Sequence, residues 1–376
     1  MLVLEYSVIA YSLLVLVGLT GVIQLYYLLF QFSGVGFKKI STPSIEKQEP
    51  VSLIICARNE LKNLRQFLPE ILNQDYPQYQ VVVVNDCSWD ESSRYLEEME
   101  DAHFNLKVIT INEQEKYQHG KKFALTLGIK GAAYEKLIFT DADCVPSSNQ
   151  WLKKMAASFS VNKEIVIGYG AYQKQSGFLN KWIRFDTAQN GLLFLSRALK
   201  GKAYMGVGRN MGYLKSLFFR NKGFASHNHL LSGDDDLFVN ETANSNNVAV
   251  CLSDDAFTIS KPKETIKDWI RQKRRHMSSG KYYKSGDKSM IGLYYFTHTL
   301  FLLSALISII LKHNWEIAVA MLSTRLIAQI IVYWTGFRKI GEKDLVLLLP
   351  IFDLVASIVY PLLALTNPFV KIKVWK

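Results

Sequence analysis

The sequence predicts an α/β domain with a mostly parallel sheet, flanked by transmembrane helices. Three observations predict it. Strand-like and helix-like segments alternate between residues 51 and 140. The strand-like runs are almost continuously apolar and rich in β-branched residues, as strands buried on both faces are. Long charge-free stretches stand at both ends of the chain and not in its middle.

The first such stretch, Tyr6 to Phe37, runs 32 residues without Asp, Glu, Lys or Arg. That exceeds the roughly 20 residues needed to cross a bilayer. A cleaved signal peptide fits poorly, because no basic segment precedes the run and no small-residue cleavage site follows it. Met290 to Leu311 is 22 residues in which only His298 can carry a charge. Ile317 to Phe337 holds one charged residue, Arg325, and Leu345 to Val370 holds one, Asp353. Charges inside such segments face protein or a wet cavity, so Arg325 and Asp353 either pair across helices or one reaches the aqueous border. Pro350 and Pro361 are expected to kink the last segment.

Lys38 and Lys39 follow the first stretch, and only Glu5 precedes it. The positive-inside rule then puts the central domain in the cytoplasm, in a multi-pass protein of the inner membrane. The expected organisation is a helix over residues 1–37, a cytoplasmic domain over 38–288 and a membrane region of about three apolar segments over 289–376. Three clean C-terminal spans would leave Lys371, Lys373 and Lys376 outside, against the rule, unless the last segment re-enters or lies in the interface.

The formal charge of +11 raises nucleic acid as a partner. However, residues 261–288 concentrate ten Lys or Arg against three Asp or Glu just before a span. That pattern faces anionic membrane lipids and can bind phosphates. No nucleic-acid-binding motif is present, so no nucleic acid is expected. Cys56, Cys87, Cys144 and Cys251 form no CxxC pair and read as reduced thiols.

In the central domain, Val51-Ser-Leu-Ile-Ile-Cys56 reads as a buried strand and leads through Ala57-Arg-Asn-Glu60 into a helix from Leu61 to Asn73. Val81 to Val84 is a second strand, ending in Asn85-Asp86, with a helix from Glu91 to Met99 behind it. Leu106 to Ile111 is a third strand, Gly120 to Gly131 a helix, and Leu137 to Thr140 a fourth strand ending in Asp141-Ala-Asp143. Ligands of parallel sheets bind beyond the carboxyl ends of the strands. Glu60, Asp86, Asp141 and Asp143 all fall there. Two carboxylates one residue apart at a strand end can grip a hard divalent cation, whose natural company is a diphosphate. The absence of GxGxxG argues against a dinucleotide site.

Six segments, in order, resemble glycosyltransferase family 2. They are Val51 to Glu60, Val83 to Asp90, Gly120 to Leu125, Asp141-Ala-Asp143, Gly233-Asp-Asp-Asp236 and Gln272-Lys-Arg-Arg275-His276. The last is similar to the Gln-x-x-Arg-Trp motif of the membrane-bound subgroup, which includes ceramide glucosyltransferases and the cellulose and hyaluronan synthases. The resemblance covers about residues 50 to 280. It implies the GT-A fold of nucleotide-diphospho-sugar transferases.

It also implies roles. Glu60 and Asp86 would accept hydrogen bonds from the nucleoside of a nucleotide-sugar donor, UDP first among the carriers. The alternative for Glu60 is an acid favoured by a helix start, and for Asp86 a turn or cap residue. The family often has two Asp where this chain has Asn85-Asp86. Lys121 would reach the donor, with Lys122 able to substitute. Asp143, helped by Asp141, would hold Mg2+ or Mn2+ on the diphosphate. Gln272 and Arg275 would bind the donor, Arg275 at the diphosphate. Asp235 would be the general base on the acceptor hydroxyl, with Asp236 second because three adjacent Asp leave the register open. Gly208, Arg209 and His276 would line the acceptor side. His276 replaces the family's Trp, and Gly206 to Asn210 reads equally as a glycine-permitted turn. His227 and His229 are too loosely placed to read as ligands.

Together these imply a membrane-bound, inverting enzyme that passes a sugar to a lipid or lipid-linked glycan at the cytoplasmic face. The alternatives are a processive polysaccharide synthase, for which four spans are few, and a membrane scaffold that has lost catalysis.

Overall fold

The computed structural model describes residues 2–39, 48–112, 120–367 and 370. They divide into two compact units, one from the chain's first 38 residues with Lys284 onward, the other Lys39–Tyr283.

The second unit is built on ten strands: β1 Val51–Ala57, β2 Tyr79–Asp86, β3 Leu106–Ile111, β4 Lys136–Asp141, β5 Cys144–Pro146, β6 Ile165–Gly168, β7 Gly170–Tyr172, β8 Met211–Leu214, β9 Val248–Cys251 and β10 Thr258–Ser260. Seven of them form one sheet in the order β3-β2-β1-β4-β8-β6-β9. The β3-β2-β1-β4 half is parallel throughout, and β8 runs antiparallel to both its neighbours. This is the GT-A arrangement, an α/β layer with a mostly parallel sheet. All seven residues of β1 are buried, which is why that strand reads as an unbroken apolar run. Leu53, Ile55, Val81 and Val83 pack with Leu64, Leu68 and Trp151 in the main core. At roughly 25 cal/mol per Å² of apolar surface, this burial is the dominant stabilising contribution.

The parallel half places the acids. β1 lies between β2 and β4, with Ala57 level with Asn85 and Cys56 level with Asp141. Asp86 and Asp141 therefore end the two strands that flank β1, at the same rim. A second sheet, β5-β10-β7, starts directly after Asp143.

The first unit contains four helices long and apolar enough to cross a membrane: Val8–Phe32, Ser285–Ile310, Trp315–Lys339 and Lys343–Thr366. They mark a membrane protein. The last of them begins as a tighter 3-10 turn, Lys343–Leu348, and Pro350 stands in the first turn of the α-helix Leu349–Thr366. There proline's fixed φ suits a helix start, so the kink expected at 350 is a helix origin instead. Pro361 does lie inside that helix. Lys371, Lys373 and Lys376 fall outside the described residues.

Of the two readings of Arg325 and Asp353, the structure shows pairing. Arg325 Nη1 meets Asp353 Oδ2 at 2.5 Å and Nη2 meets Oδ1 at 3.2 Å. Gln329 Nε2 donates to Asp353 Oδ1 at 3.0 Å, and His298 Nε2 lies 3.1 Å from the same oxygen. Arg325 Nη2 also donates to Gln24 Oε1 at 3.4 Å. All four candidate spans thus contribute a polar group to one buried network. Such a pair is costly to break and much less costly to replace whole. Arg325→Leu or Asp353→Leu alone should lower stability by about 3–5 kcal/mol, and the double Leu variant should recover most of it. Thermal unfolding of the four detergent-purified proteins checks this.

Candidate active site

Two loops at the rim are tied to each other before any ligand is considered. Asn59, at φ 54°, donates its backbone N–H to Ser88 Oγ (2.9 Å), and Asn59 Oδ1 accepts from Trp89 N (2.9 Å). Asp90 accepts from Leu61 N at 3.1 Å and Ser92 N at 3.1 Å. One carboxylate thereby caps the helices Leu61–Leu72 and Ser92–Ala102. Burial opposes the Asp90 charge, yet these hydrogen bonds hold its carboxyl below the ordinary value.

Between these loops lie Glu60 and Asp86. Glu60 is buried at the cap position of the first helix and accepts from Asn63 Nδ2. Asp86 is fully buried, and neither of its oxygens has a hydrogen-bond partner among the described residues. Asn85 Oδ1 beside it is likewise unpartnered. A buried carboxylate without donors costs several kcal/mol unless something supplies them. This corner is built to receive hydrogen-bond donors.

Lys121 opens the helix Lys121–Gly131. Its Nζ sits 2.9 Å from Asp141 Oδ1 and 3.0 Å from Asp234 Oδ2. Burial works against its charge, but Asp141, Asp234 and Asp235 outweigh it and raise the ammonium well above the usual lysine value. Burial likewise opposes ionisation of Asp141, and Lys121 overcomes it, so this carboxyl is shifted down. Lys122 does something else. It is buried and donates to the carbonyls of His227 (2.6 Å) and Leu230 (3.1 Å), and burial lowers its pKa to about 8. It anchors the 225–230 loop, so the two adjacent lysines divide the work.

The acidic motif is equally divided. Gly233 has φ 99°, and a Cβ there would come within 2.4 Å of Leu237. Glycine is needed at this turn into the helix Asp236–Thr242. Asp234 takes Lys121. Asp236 is buried and saturated: its Oδ2 accepts from Ser279 and from Tyr283 Oη (2.7 Å), and its Oδ1 accepts from Leu237 N (2.7 Å). Asp235 accepts from the backbone N–H groups of Gly208 and Asp236, each at 2.8 Å. Burial, then the charges of Asp234 and Asp236, push its pKa up to about 7. Neither Gly206 nor Gly208 is among the positive-φ glycines, so backbone strain does not require them. A Cβ at 208 would lie 3.4 Å from both Asp235 Oδ2 and Lys121 Nζ. Glycine there keeps the space beside the carboxylate open.

Asp141, Asp143 and Cys144 offer ligand atoms within 4.8 Å of one another. Burial holds the Cys144 thiol well above its ordinary value, so it stays a neutral S–H. Burial and then Asp141 raise Asp143. The charged donor set is therefore carboxylate oxygen, which fits a hard cation such as Mg2+ or Mn2+.

A chain of contacts joins this pair to the helix Ile266–Gly280. Gln272 Nε2 donates to Tyr172 Oη at 3.1 Å, and the Tyr172 ring lies under the Arg209 guanidinium at 4.4 Å. Arg209 donates to Ser260 Oγ (3.0 Å) and Gly170 O (3.1 Å). Ser260 Oγ contacts Cys144 Sγ at 3.0 Å, next to Asp143. Gln272 and Arg209 thus meet protein partners in the wall of the site. Arg275 helps hold the Asp141 carboxyl down and accepts from Ser232 through its carbonyl. His276 is exposed. His227 is buried against Ser226 and Glu241, away from the acidic pair. Glu60, Asp86, Lys121, Asp141, Asp143 and Asp235 come to one rim. Sequence reasoning missed Asp90, Tyr172, Ser260 and the two donors that saturate Asp236. Asp90 alone carried a signal, as the last residue of a recognised segment.

Residues 52–219 match the family model for glycosyl transferase family 2. That segment, a little under half of the chain, is similar to family 2 glycosyltransferase domains. It is 32% identical over 112 residues to glycosyltransferase AglE of Haloferax volcanii, covering 29% of this chain and 35% of that one. It is 30% identical over 101 residues to a poly-beta-1,6-N-acetyl-D-glucosamine synthase of Staphylococcus epidermidis, covering 27% of this chain and 23% of that one. The chain thus spans less than half of the length of the curated relatives it matches. In fold it is similar to the mannosyltransferase PcManGT of Pyrobaculum calidifontis, solved with GDP-Man and Mn2+. The TM-score is 0.59 at 15% identity, over 96% of this chain and 98% of that one.

Asp90→Ala should remove both caps and cost about 1–2 kcal/mol for each helix start, while Asp90→Asn should retain part of each. Melting temperatures of the purified variants report the difference.

Proposed function

We propose that this protein is a membrane glycosyltransferase that moves a sugar from a nucleotide-diphosphate-sugar donor to an acceptor hydroxyl. The observation that carries the reading is Lys121, whose one ammonium joins Asp141 on the donor side to Asp234 in the motif of Asp235. It gathers a diphosphate-binding edge and a candidate base within one small space.

The nucleoside meets Asp86, with Glu60 beside it, where the unpartnered carboxylate gains base or ribose donors. Asp143 and Asp141 hold Mg2+ or Mn2+, which when bound supplies positive charge to the leaving diphosphate. Lys121 and Arg275 add further positive charge at that edge. Lys121, 2.9 Å from Asp141, stands next to the carboxylates that would hold the cation. Asp235 accepts the proton of the acceptor hydroxyl as its oxygen attacks the anomeric carbon. Gly208 keeps the approach open, and the Gly208 N–H fixes the carboxylate's orientation. Asp236 already accepts three hydrogen bonds, which suits it to positioning rather than proton transfer. A single displacement by the acceptor oxygen gives inversion. Four apolar helices and the basic 261–288 segment support a lipid or lipid-linked acceptor. Lys38 and Lys39 support a cytoplasmic face in the inner membrane.

Purified protein with lipid extract and Mn2+ should release nucleotide from one of a panel of UDP-, GDP- and dTDP-sugars. Asp235→Asn should lower kcat by about 10²–10⁴-fold, whereas donor binding should persist. Donor binding without release in the wild type would point to a missing acceptor, and no binding would sink the reading. The base must be ionised to work, so kcat/KM should fall as pH drops through about 7.

A further inference from the structure

Arg209 grips the Asp141–Asp143 pair from both sides. Strands β5, β10 and β7 set Cys144, Ser260 and Tyr172 side by side, because Ser260 is level with Cys144 on one neighbour and with Tyr172 on the other. The Arg209 side chain lies across this row. Its Nη1 donates to Ser260 Oγ at 3.0 Å, its Nη2 to Gly170 O at 3.1 Å, and its guanidinium stacks over the Tyr172 ring. A Cβ at Gly170 would come within 3.3 Å of Arg209 Cβ and 3.4 Å of its Nε, so glycine keeps this seat clear. Ser260 Oγ meets Cys144 Sγ at 3.0 Å, and that thiol donates to Asp143 Oδ1 at 3.5 Å. The guanidinium thus reaches Asp143 through two buried side chains. The Arg209 backbone acts on the other side. Its carbonyl accepts from Thr140 Oγ1 and Thr258 Oγ1, each at 3.0 Å. Thr140 immediately precedes Asp141 in β4. One residue therefore ties the strand that ends in Asp141 to the strand that starts after Asp143.

We propose that Arg209 is a positioning residue of the metal edge, which fixes the spacing of Asp141 and Asp143 and so sets which divalent cation they prefer. The proposal rests on the reading of that pair as a metal site. Both terminal nitrogens of the guanidinium and one of its faces are already used on the protein, which suits Arg209 to holding the site rather than an acceptor. Only a planar fork can serve Ser260, the Gly170 carbonyl and the Tyr172 ring at once; a lysine ammonium cannot. Carboxylates held at a fixed spacing favour a small cation with strict geometry. Loosely held ones adapt to Ca2+, which accepts longer and more variable bonds to oxygen. Partners behind metal ligands tune affinity by this route.

The test uses the full detergent-purified chain, with Mn2+ as the probe and Ca2+ as its competitor. Electron paramagnetic resonance counts free Mn2+ and gives the zero-field splitting of bound Mn2+, which reports the symmetry of its ligands. Arg209→Met, Arg209→Lys and the milder Ser260→Ala should each weaken Mn2+ binding by about 10-fold or more. Ca2+ should lose less, so the preference for Mn2+ over Ca2+ should fall several-fold and the splitting should change. Arg209→Lys should fail to rescue, since it restores the charge and not the fork. A purely structural role would lower the melting temperature and the binding of both cations alike, with the preference and the splitting as in the wild type. That result would overturn the proposal, as would wild-type binding in Arg209→Lys or Ser260→Ala. A wild type that binds no Mn2+, alone or with UDP or GDP, would sink the metal reading itself and the proposal with it.

Discussion

The Lys121 ammonium is the interaction on which the candidate site depends. Five carboxylates, Asp141, Asp143, Asp234, Asp235 and Asp236, converge near one rim and would repel one another. Lys121 contacts two of them directly, at 2.9 and 3.0 Å. Its side chain is only 15% exposed, so solvent screens these attractions little. The remaining acids are settled by other means. Burial raises the Asp236 carboxyl while Ser279, Tyr283 and a backbone N–H offset part of that by donating to it, and Asp235 keeps a raised pKa. Three identical neighbours thereby acquire three different chemistries.

That partition explains why the middle Asp is the candidate base. A general base needs an ionisable carboxylate near neutrality with room for a hydroxyl beside it. Asp234 is engaged by a cation and Asp236 by donors. Asp235 faces Gly208, where a side chain would intrude. Rigidity comes from outside the motif, through Lys122 on the 225–230 loop and Asp90 across the two rim loops.

Much of the fold was legible because burial leaves a direct trace in composition. β1 and β2 read as unbroken apolar runs since both faces are covered, and their terminal acids read as a rim because parallel strands end together. The four apolar helices were legible by length. The division of the Asp triplet was not, since adjacent identical residues carry no periodic signal. Tyr172, Arg209 and Ser260 come together only when β7 pairs with β10, across nearly 90 residues of chain. Lys121 and Lys122 looked interchangeable because only the helix phase separates them. Pro350 was read as a kink because sequence alone did not show where its helix begins.

The most direct test of the account is whether the Asp141–Asp143 edge and Lys121 bind a metal and a diphosphate as one unit. Electron paramagnetic resonance of Mn2+, titrated into the protein with and without UDP or GDP, reads this without any acceptor. The account predicts that a nucleoside diphosphate tightens Mn2+ binding, and that Asp143→Asn abolishes the coupling while Asp235→Asn leaves it. Mn2+ binding that ignores both nucleotides, or survives Asp143→Asn unchanged, would contradict it.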